Sequence, residues 1–71
     1  MKMPHVDISM FPGRDRETKT ELALKIRDLI VEELKVNVNV VTVSIEDIPR
    51  EQWSEHMKKF REEDLFVKPG Y

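Results

Sequence analysis

The chain has 71 residues, 12 of them basic and 14 acidic, for a net charge of −2, and it contains no cysteine. This size predicts a single domain, residues 1–71, and the balanced charge argues against a nucleic-acid-binding or membrane-surface domain, since both carry clustered basic residues. Without cysteines or a long apolar run, the sequence excludes disulfides, cysteine-ligated metals, membrane-spanning helices and signal peptides, and predicts a cytoplasmic protein.

Residues 4–11 alternate between apolar and polar side chains. The apolar positions are Val6, Ile8 and Met10, which would lie on one side of an extended chain. A period of two with β-branched residues predicts a strand, and the Pro12-Gly13 turn signal ends it. Phe11 interrupts the alternation at the end of this strand.

A helix is predicted next, because apolar residues recur with the spacing of a single helical face. These residues are Leu22, Ile26, Leu29, Ile30 and Leu34. Asp15 could cap the helix, or Thr18 and Glu21 could form a capping box. The helical period is lost after Lys35, so we expect the helix to end there.

Residues 40–48 predict a second strand, which Pro49 ends. A strand, a helix of about five turns and a strand form a βαβ unit with parallel strands and a right-handed crossover. The fold class is therefore α/β. Beyond it, the sequence predicts a short helix over residues 54–61 and a short strand over residues 65–67.

Such a chain is expected to assemble with copies of itself. A sheet of two strands is marginal in water, and one helix covers only one of its faces. Chains below roughly 70–80 residues also rarely bury enough core to be stable alone. Pairing with a second copy would extend the sheet and cover its edges, so we expect a homodimer, with a hexamer also possible.

The sequence offers little support for a metal or for nucleophilic catalysis. His5 and His56 lack the spacing of known ligand motifs, and His56 is interpreted as a polar residue on a solvated face. Ser9 or Ser44 could be combined with a histidine and an acid, but no nucleophile elbow is present. With two glycines in the chain, a phosphate-binding loop is excluded. We therefore expect no metal and no cofactor.

The dipeptide Met3-Pro4 before the first strand offers a different chemistry. If Pro4 became the first residue, its free secondary amine could act as a general base near neutral pH, since amino termini titrate near this range. In the alternative interpretation, Pro4 merely begins an edge strand, where its missing N–H is tolerated.

The order of several segments resembles the 4-oxalocrotonate tautomerase family. These are Met3-Pro4-His5-Val6-Asp7-Ile8, then Phe11-Pro12-Gly13-Arg14, the second strand over residues 41–46, and Trp53. Residues 4–8 (PHVDI), 48–53 (IPREQW) and 68–71 (KPGY) are most similar to its dimeric PptA-type branch. The resemblance covers nearly the whole chain, and its specificity lies in the order and spacing of the segments.

The resemblance implies a cofactor-independent enzyme that interconverts the enol and keto forms of a small 2-oxo acid, such as phenylpyruvate or 2-hydroxymuconate. It implies that Pro4 is the catalytic base and that Arg14 binds the substrate carboxylate. A guanidinium can hold a carboxylate through two hydrogen bonds and can stabilise enolate charge. It also implies that Trp53 forms an aromatic wall of the site.

Two departures from the family pattern leave alternatives open. Thr42 stands where hexameric members carry a second arginine, and Arg16 or Arg50 could replace that arginine. Met1-Lys2 precede Met3, and Pro4 has no basic nitrogen unless residues 1–3 are removed or never translated. The alternatives are a non-catalytic binding or assembly module, or a decarboxylase or dehalogenase reaction that uses the same proline.

Overall fold

The computed structural model describes residues 3–70, which form a parallel βαβ unit followed by a short helix. Strand β1 spans His5–Met10, helix α1 Arg16–Leu34, strand β2 Thr42–Asp47 and helix α2 Trp53–Met57. The register pairs His5 with Thr42 and Met10 with Asp47. The predicted α/β fold with parallel strands is therefore confirmed, and the sheet is open at both edges.

Helix α1 begins at the first of the two predicted caps. The side-chain oxygen of Asp15 accepts a hydrogen bond of 2.8 Å from the backbone N–H of Thr18, which otherwise has no partner in the first turn. The helix ends at Lys35, which takes the left-handed conformation (φ 55°) typical of a helix C-terminus. Within residues 3–70, no helix has the length and apolar character needed to cross a membrane.

Helix α1 covers the apolar face of the sheet. Lys19 in its second turn binds the carboxylate of Asp47 at 2.7 Å. By strand alternation, Val43 and Ile45 point to the same face as Asp47. The predicted stripe is only partly covered, because Leu29 and Leu34 are each 52% exposed.

The opposite face of the sheet is polar. Nδ1 of His5 lies 2.6 Å from the hydroxyl of Thr42, and Nε2 lies 3.0 Å from the hydroxyl of Ser44. Ser44 donates its proton to Asp7, so its oxygen accepts a hydrogen bond from Nε2 of His5. This network links the side chains of the two strands across the polar face.

The described residues enclose very little core. Val41 and Ile48 are the buried apolar side chains within residues 3–70. The accessible surface of the chain is 6158 Å², whereas a compact monomer of this mass would expose about 4,600 Å². Its radius of gyration is 13.8 Å, compared with roughly 11 Å for a compact domain of this length. The fold therefore presents more surface than a self-contained domain of its size.

The structure differs from the predictions for the second strand and the tail. A 3₁₀ turn over Val38–Val40, capped by the side chain of Asn37, delays the second strand to Thr42. Two further 3₁₀ turns, Arg50–Gln52 and Glu62–Asp64, flank the shorter helix α2.

The strand predicted over residues 65–67 is wrong. A strand needs a neighbour to complete its ladder of hydrogen bonds, and this segment lies beside none within the described chain. Phe66 is 96% exposed and Val67 88% exposed, so the apolar side chains on which the strand prediction rests are not buried.

Replacing Asp15 with Ala should lower the melting temperature by about 5 °C, because the first turn loses its capping acceptor. The hydrogen bonds from Thr18 hold the pKa of Asp15 below its ordinary value of 3.8. The stabilisation that the ionised Asp15 cap gives to the folded state is therefore fully present above pH 3.8. It is lost as the pH falls through the lower pKa of the folded state.

Thermal unfolding monitored by circular dichroism between pH 2 and pH 7 checks this. The difference between the wild type and Asp15→Ala should shrink in acid, and Asp15→Asn, which keeps a capping oxygen, should stay close to the wild type at pH 7. A difference that is constant with pH would contradict the capping role.

Candidate active site

Arg14 and Trp53, two of the three residues predicted for the site, meet in one cavity. Arg14 lies in the loop between β1 and α1, and Trp53 is the first residue of α2. They line a cavity of about 390 Å³ together with Ser9, Met10 and Phe11. The parallel sheet explains this arrangement, because residues that follow β1 and β2 emerge at the same end of the sheet.

Phe11 contacts both of the predicted site residues in this cavity. Its ring packs edge-on against Trp53 with 5.1 Å between ring centres. Nη1 of Arg14 donates to the backbone carbonyl of Phe11 at 3.4 Å, and the guanidinium of Arg50 lies 5.0 Å from the centre of the ring. Phe11 is not among the site residues predicted from the sequence, although its break in the strand alternation indicates a different role.

Pro4 lies at the other end of the sheet. It precedes β1, it is half-buried, and its carbonyl accepts a hydrogen bond from the backbone N–H of Thr42 at 3.3 Å. The cavity lies at the far end of β1, where Met10 lines it. Because a strand rises about 3.3 Å per residue, the length of β1 puts roughly 20 Å between Pro4 and the cavity. A single copy therefore does not bring Pro4 together with Arg14 and Trp53.

His56 does not lie on a solvated face, so the interpretation from the sequence is wrong. It is only 9% exposed, and its Nε2 lies 2.7 Å from the hydroxyl of Ser9 on the polar face of the sheet. Its ring packs between Trp53 and Phe60, with ring centres 6.3 Å and 5.8 Å away. The hydrogen bond to Ser9 compensates for the burial of this polar ring. Because Ser9 and His56 lie in different segments of the chain, the residue pattern around His56 alone could not predict the bond.

A second, smaller cavity adjoins the first. It measures about 230 Å³ and shares Ser9 and Trp53 with the larger cavity. Its remaining lining residues are Asp7, Met57, Phe60 and Leu65. The Ser9–His56 bond therefore holds α2, and with it Trp53, against the sheet between the two cavities.

Neither serine–histidine pair forms a catalytic triad, because no carboxylate of the described residues forms a hydrogen bond with the ring of His5 or His56. Ser44 lies between His5 and Asp7 and gives its proton to Asp7, whereas a triad requires the histidine between the serine and the acid. The hydroxyl of Ser44 lowers the pKa of Asp7 below its ordinary value. Among residues 3–70, no group of three or more histidine or acidic side chains could hold a metal ion.

The larger cavity suits a small acid with a flat, conjugated body. Arg14 offers charge-assisted hydrogen bonds to a carboxylate, and Phe11 and Trp53 offer aromatic surface. The family model described as a tautomerase enzyme matches residues 4–62.

The chain belongs to the tautomerase family.

Curated relatives cover nearly the same length. Tautomerase PptA of Escherichia coli O127:H6 is 34% identical to this chain. The match covers 97% of this chain and 97% of the length of the relative. A probable tautomerase of Xylella fastidiosa is 29% identical over 97% of this chain and 89% of its own length. These similarities confirm the family resemblance and show that the protein is an isomerase of the tautomerase type. The roles of Pro4, Arg14 and Trp53 stay predictions.

Replacing Ser9 with Ala should release α2, because it removes the hydrogen-bond partner of a buried histidine. A bond of this kind contributes about 1 kcal/mol to the free energy of unfolding. Ser9→Ala should unfold at a lower urea concentration and should exchange the amide hydrogens of residues 53–60 faster than the wild type does.

Ser54→Ala is the matched control, since Ser54 is exposed on α2. If both variants behaved alike, the Ser9–His56 bond would not be what holds α2 in place.

Proposed function

We propose that the tautomerase interconverts the enol and keto forms of a small 2-oxo acid without a cofactor, using the nitrogen of Pro4 as the base. The observation that carries this proposal is the cavity in which the cation of Arg14 adjoins the aromatic side chains of Phe11 and Trp53. A 2-oxo acid with a conjugated or aromatic body offers the complementary groups, a carboxylate at one end and a flat apolar portion at the other.

The reaction needs one group that takes and returns a proton. In ketonisation, the amine of Pro4 removes the proton of the enol hydroxyl, and the protonated amine delivers a proton to C3. The negative charge that develops in between is shared by the C2 oxygen and C3, and a guanidinium of Arg14 bound at the neighbouring carboxylate stabilises the charge on that oxygen. The positive field of Arg14 also favours the neutral, basic form of a nearby amine.

Pro4 can act in this way only when it is the first residue. Inside the chain its nitrogen is an amide, which has no basicity at neutral pH. A chain translated from Met3 would lose that methionine, because proline is small enough for ordinary methionine removal. Residues 1–3 would then be absent from the active protein, and the mature domain would begin at Pro4.

We further propose that the protein acts as a homodimer whose active sites combine two copies. Pro4 precedes β1 and Arg14 follows it, so both can reach one substrate only if they come from different copies. The accessible surface exceeds that of a compact monomer of this mass by about 1,500 Å². An interface of standard size covers about 800 Å² per partner, so this excess is ample for a second copy.

The first test compares two forms of the chain, one that begins at Met1 and one that begins at Pro4, each verified by mass. Only the form with a free Pro4 should accelerate the ketonisation of phenylpyruvate or 2-hydroxymuconate enols. Its kcat/KM should rise with pH through one ionisation, as the amine loses its proton.

Equal activity of the two forms would show that the nitrogen of Pro4 is not the base. Inactivity of both would favour a binding module over the proposed enzyme on these substrates.

The second test mixes two impaired proteins, the form with retained Met1 and the Arg14→Ala variant of the form that begins at Pro4. Arg14→Ala alone should lose roughly ten- to a hundredfold in kcat/KM. If Pro4 and Arg14 act across the interface, each mixed dimer regains one intact site. An equal mixture should then recover about a quarter of the wild-type activity.

If both residues acted within one copy, no mixed dimer would hold an intact site. Activity equal to the average of the two separate proteins would therefore contradict the shared site.

A further inference from the structure

We infer that the smaller cavity, beside the one that contains Arg14, is a second binding site and that its ligand is a small organic cation, an ammonium group on an apolar body. Its lining combines one carboxylate, that of Asp7, with a wall of aromatic and aliphatic side chains. The inference goes beyond the proposed reaction and does not depend on the nitrogen of Pro4.

The wall of this cavity is apolar where α2 and the tail form it. Trp53 and Met57 belong to α2, and Phe60 and Leu65 follow it. The faces of aromatic rings carry partial negative charge, which attracts a cation, and the side chains of Met57 and Leu65 offer surface to hydrocarbon groups. An organic ammonium matches both properties, whereas a hydrated metal ion needs several oxygen ligands.

Asp7 supplies a negative charge where the polar face of the sheet forms this cavity. Ser44 donates a hydrogen bond to Asp7 and lowers the pKa of its carboxyl below the ordinary value of 3.8, so Asp7 is ionised at neutral pH. Within residues 3–70, no lysine, arginine or histidine forms an ion pair with Asp7. Three other aspartates are paired with basic residues, namely Asp28, Asp47 and Asp64. The carboxylate of Asp7 can therefore accept hydrogen bonds from an ammonium group.

The two cavities share Ser9 and Trp53 but differ in the sign of their charge. Arg14 makes the larger cavity favourable for an acid, and Asp7 makes the smaller one favourable for an amine. A ligand of the wrong sign meets a like charge in either cavity, which disfavours its binding there. An acid and an amine with the same apolar body should therefore bind in different cavities.

The experiment uses the full chain, labelled with carbon-13 in its methionine methyl groups. Met57 lines the smaller cavity but not the larger one, and Met10 lines the larger cavity but not the smaller one. The probe is phenethylammonium, and its neutral and anionic counterparts are phenethyl alcohol and hydrocinnamate. Each compound is titrated into the protein, and the two methyl signals, assigned with Met57→Leu and Met10→Leu, are followed by NMR.

We expect phenethylammonium to shift the methyl signal of Met57 and to bind more tightly than the alcohol does. Asp7→Asn, which keeps an oxygen for Ser44 but loses the charge, should weaken ammonium binding about fivefold, the upper end for an exposed ion pair. Phe60→Leu should weaken it about threefold through the loss of an aromatic face. Hydrocinnamate should shift the methyl signal of Met10 more than that of Met57.

Asp28→Asn is the matched control, because it removes one negative charge from the exposed surface of α1. It should leave ammonium binding unchanged. Circular dichroism of each variant verifies that it is folded.

Four results would overturn the inference. They are an unshifted Met57 signal, equal binding of the ammonium and the alcohol, full binding by folded Asp7→Asn, and equal weakening by Asp7→Asn and Asp28→Asn. If Asp7→Asn does not fold, Phe60→Leu decides, since it keeps the charge. It should weaken the ammonium more than the alcohol, and equal weakening of the two would contradict the inference.

Discussion

The parallel pairing of β1 with β2 determines where every other feature of the chain lies. It directs the residues that follow both strands to one end of the sheet, where Arg14 and Trp53 share a cavity. It leaves Pro4, which precedes β1, at the other end. It also aligns His5 and Ser44 on one face, while the apolar side chains face α1. A shift of one residue in this register would exchange the two faces and lose both arrangements.

The second constraint is the small size of the hydrophobic core. With Val41 and Ile48 as the buried apolar residues of the described chain, hydrophobic burial within one copy is small. The polar face is held instead by specific hydrogen bonds, of which the Ser9–His56 bond joins α2 to the sheet. The exposed apolar side chains of α1 and of the tail are therefore surface available for a partner. In the homodimer that we propose, assembly would supply both stability and the missing part of each active site.

The sequence predicted the main elements well, because strand and helix periods and a cap such as Asp15 are local signals. It failed where a partner distant in sequence decides the outcome. Residues 65–67 have strand composition but no neighbouring strand in the described chain, and the buried His56 is hydrogen-bonded to Ser9, which lies 47 positions away. The resemblance identified Arg14 and Trp53, which do share a cavity. The contact of Arg50 with Phe11 joins two turns, and only the folded chain reveals it.

The position of Pro4 also bears on how such a protein could evolve by gene duplication. If two copies were fused head to tail, the proline of the second copy would be joined to the first through a peptide bond. That copy could still supply its arginine and its aromatic wall, but it would have no free amine. A fused pair would therefore keep one of the two sites that we propose for the dimer. If the base is the terminal nitrogen, as we propose, separate chains give more active sites per residue than fused repeats do.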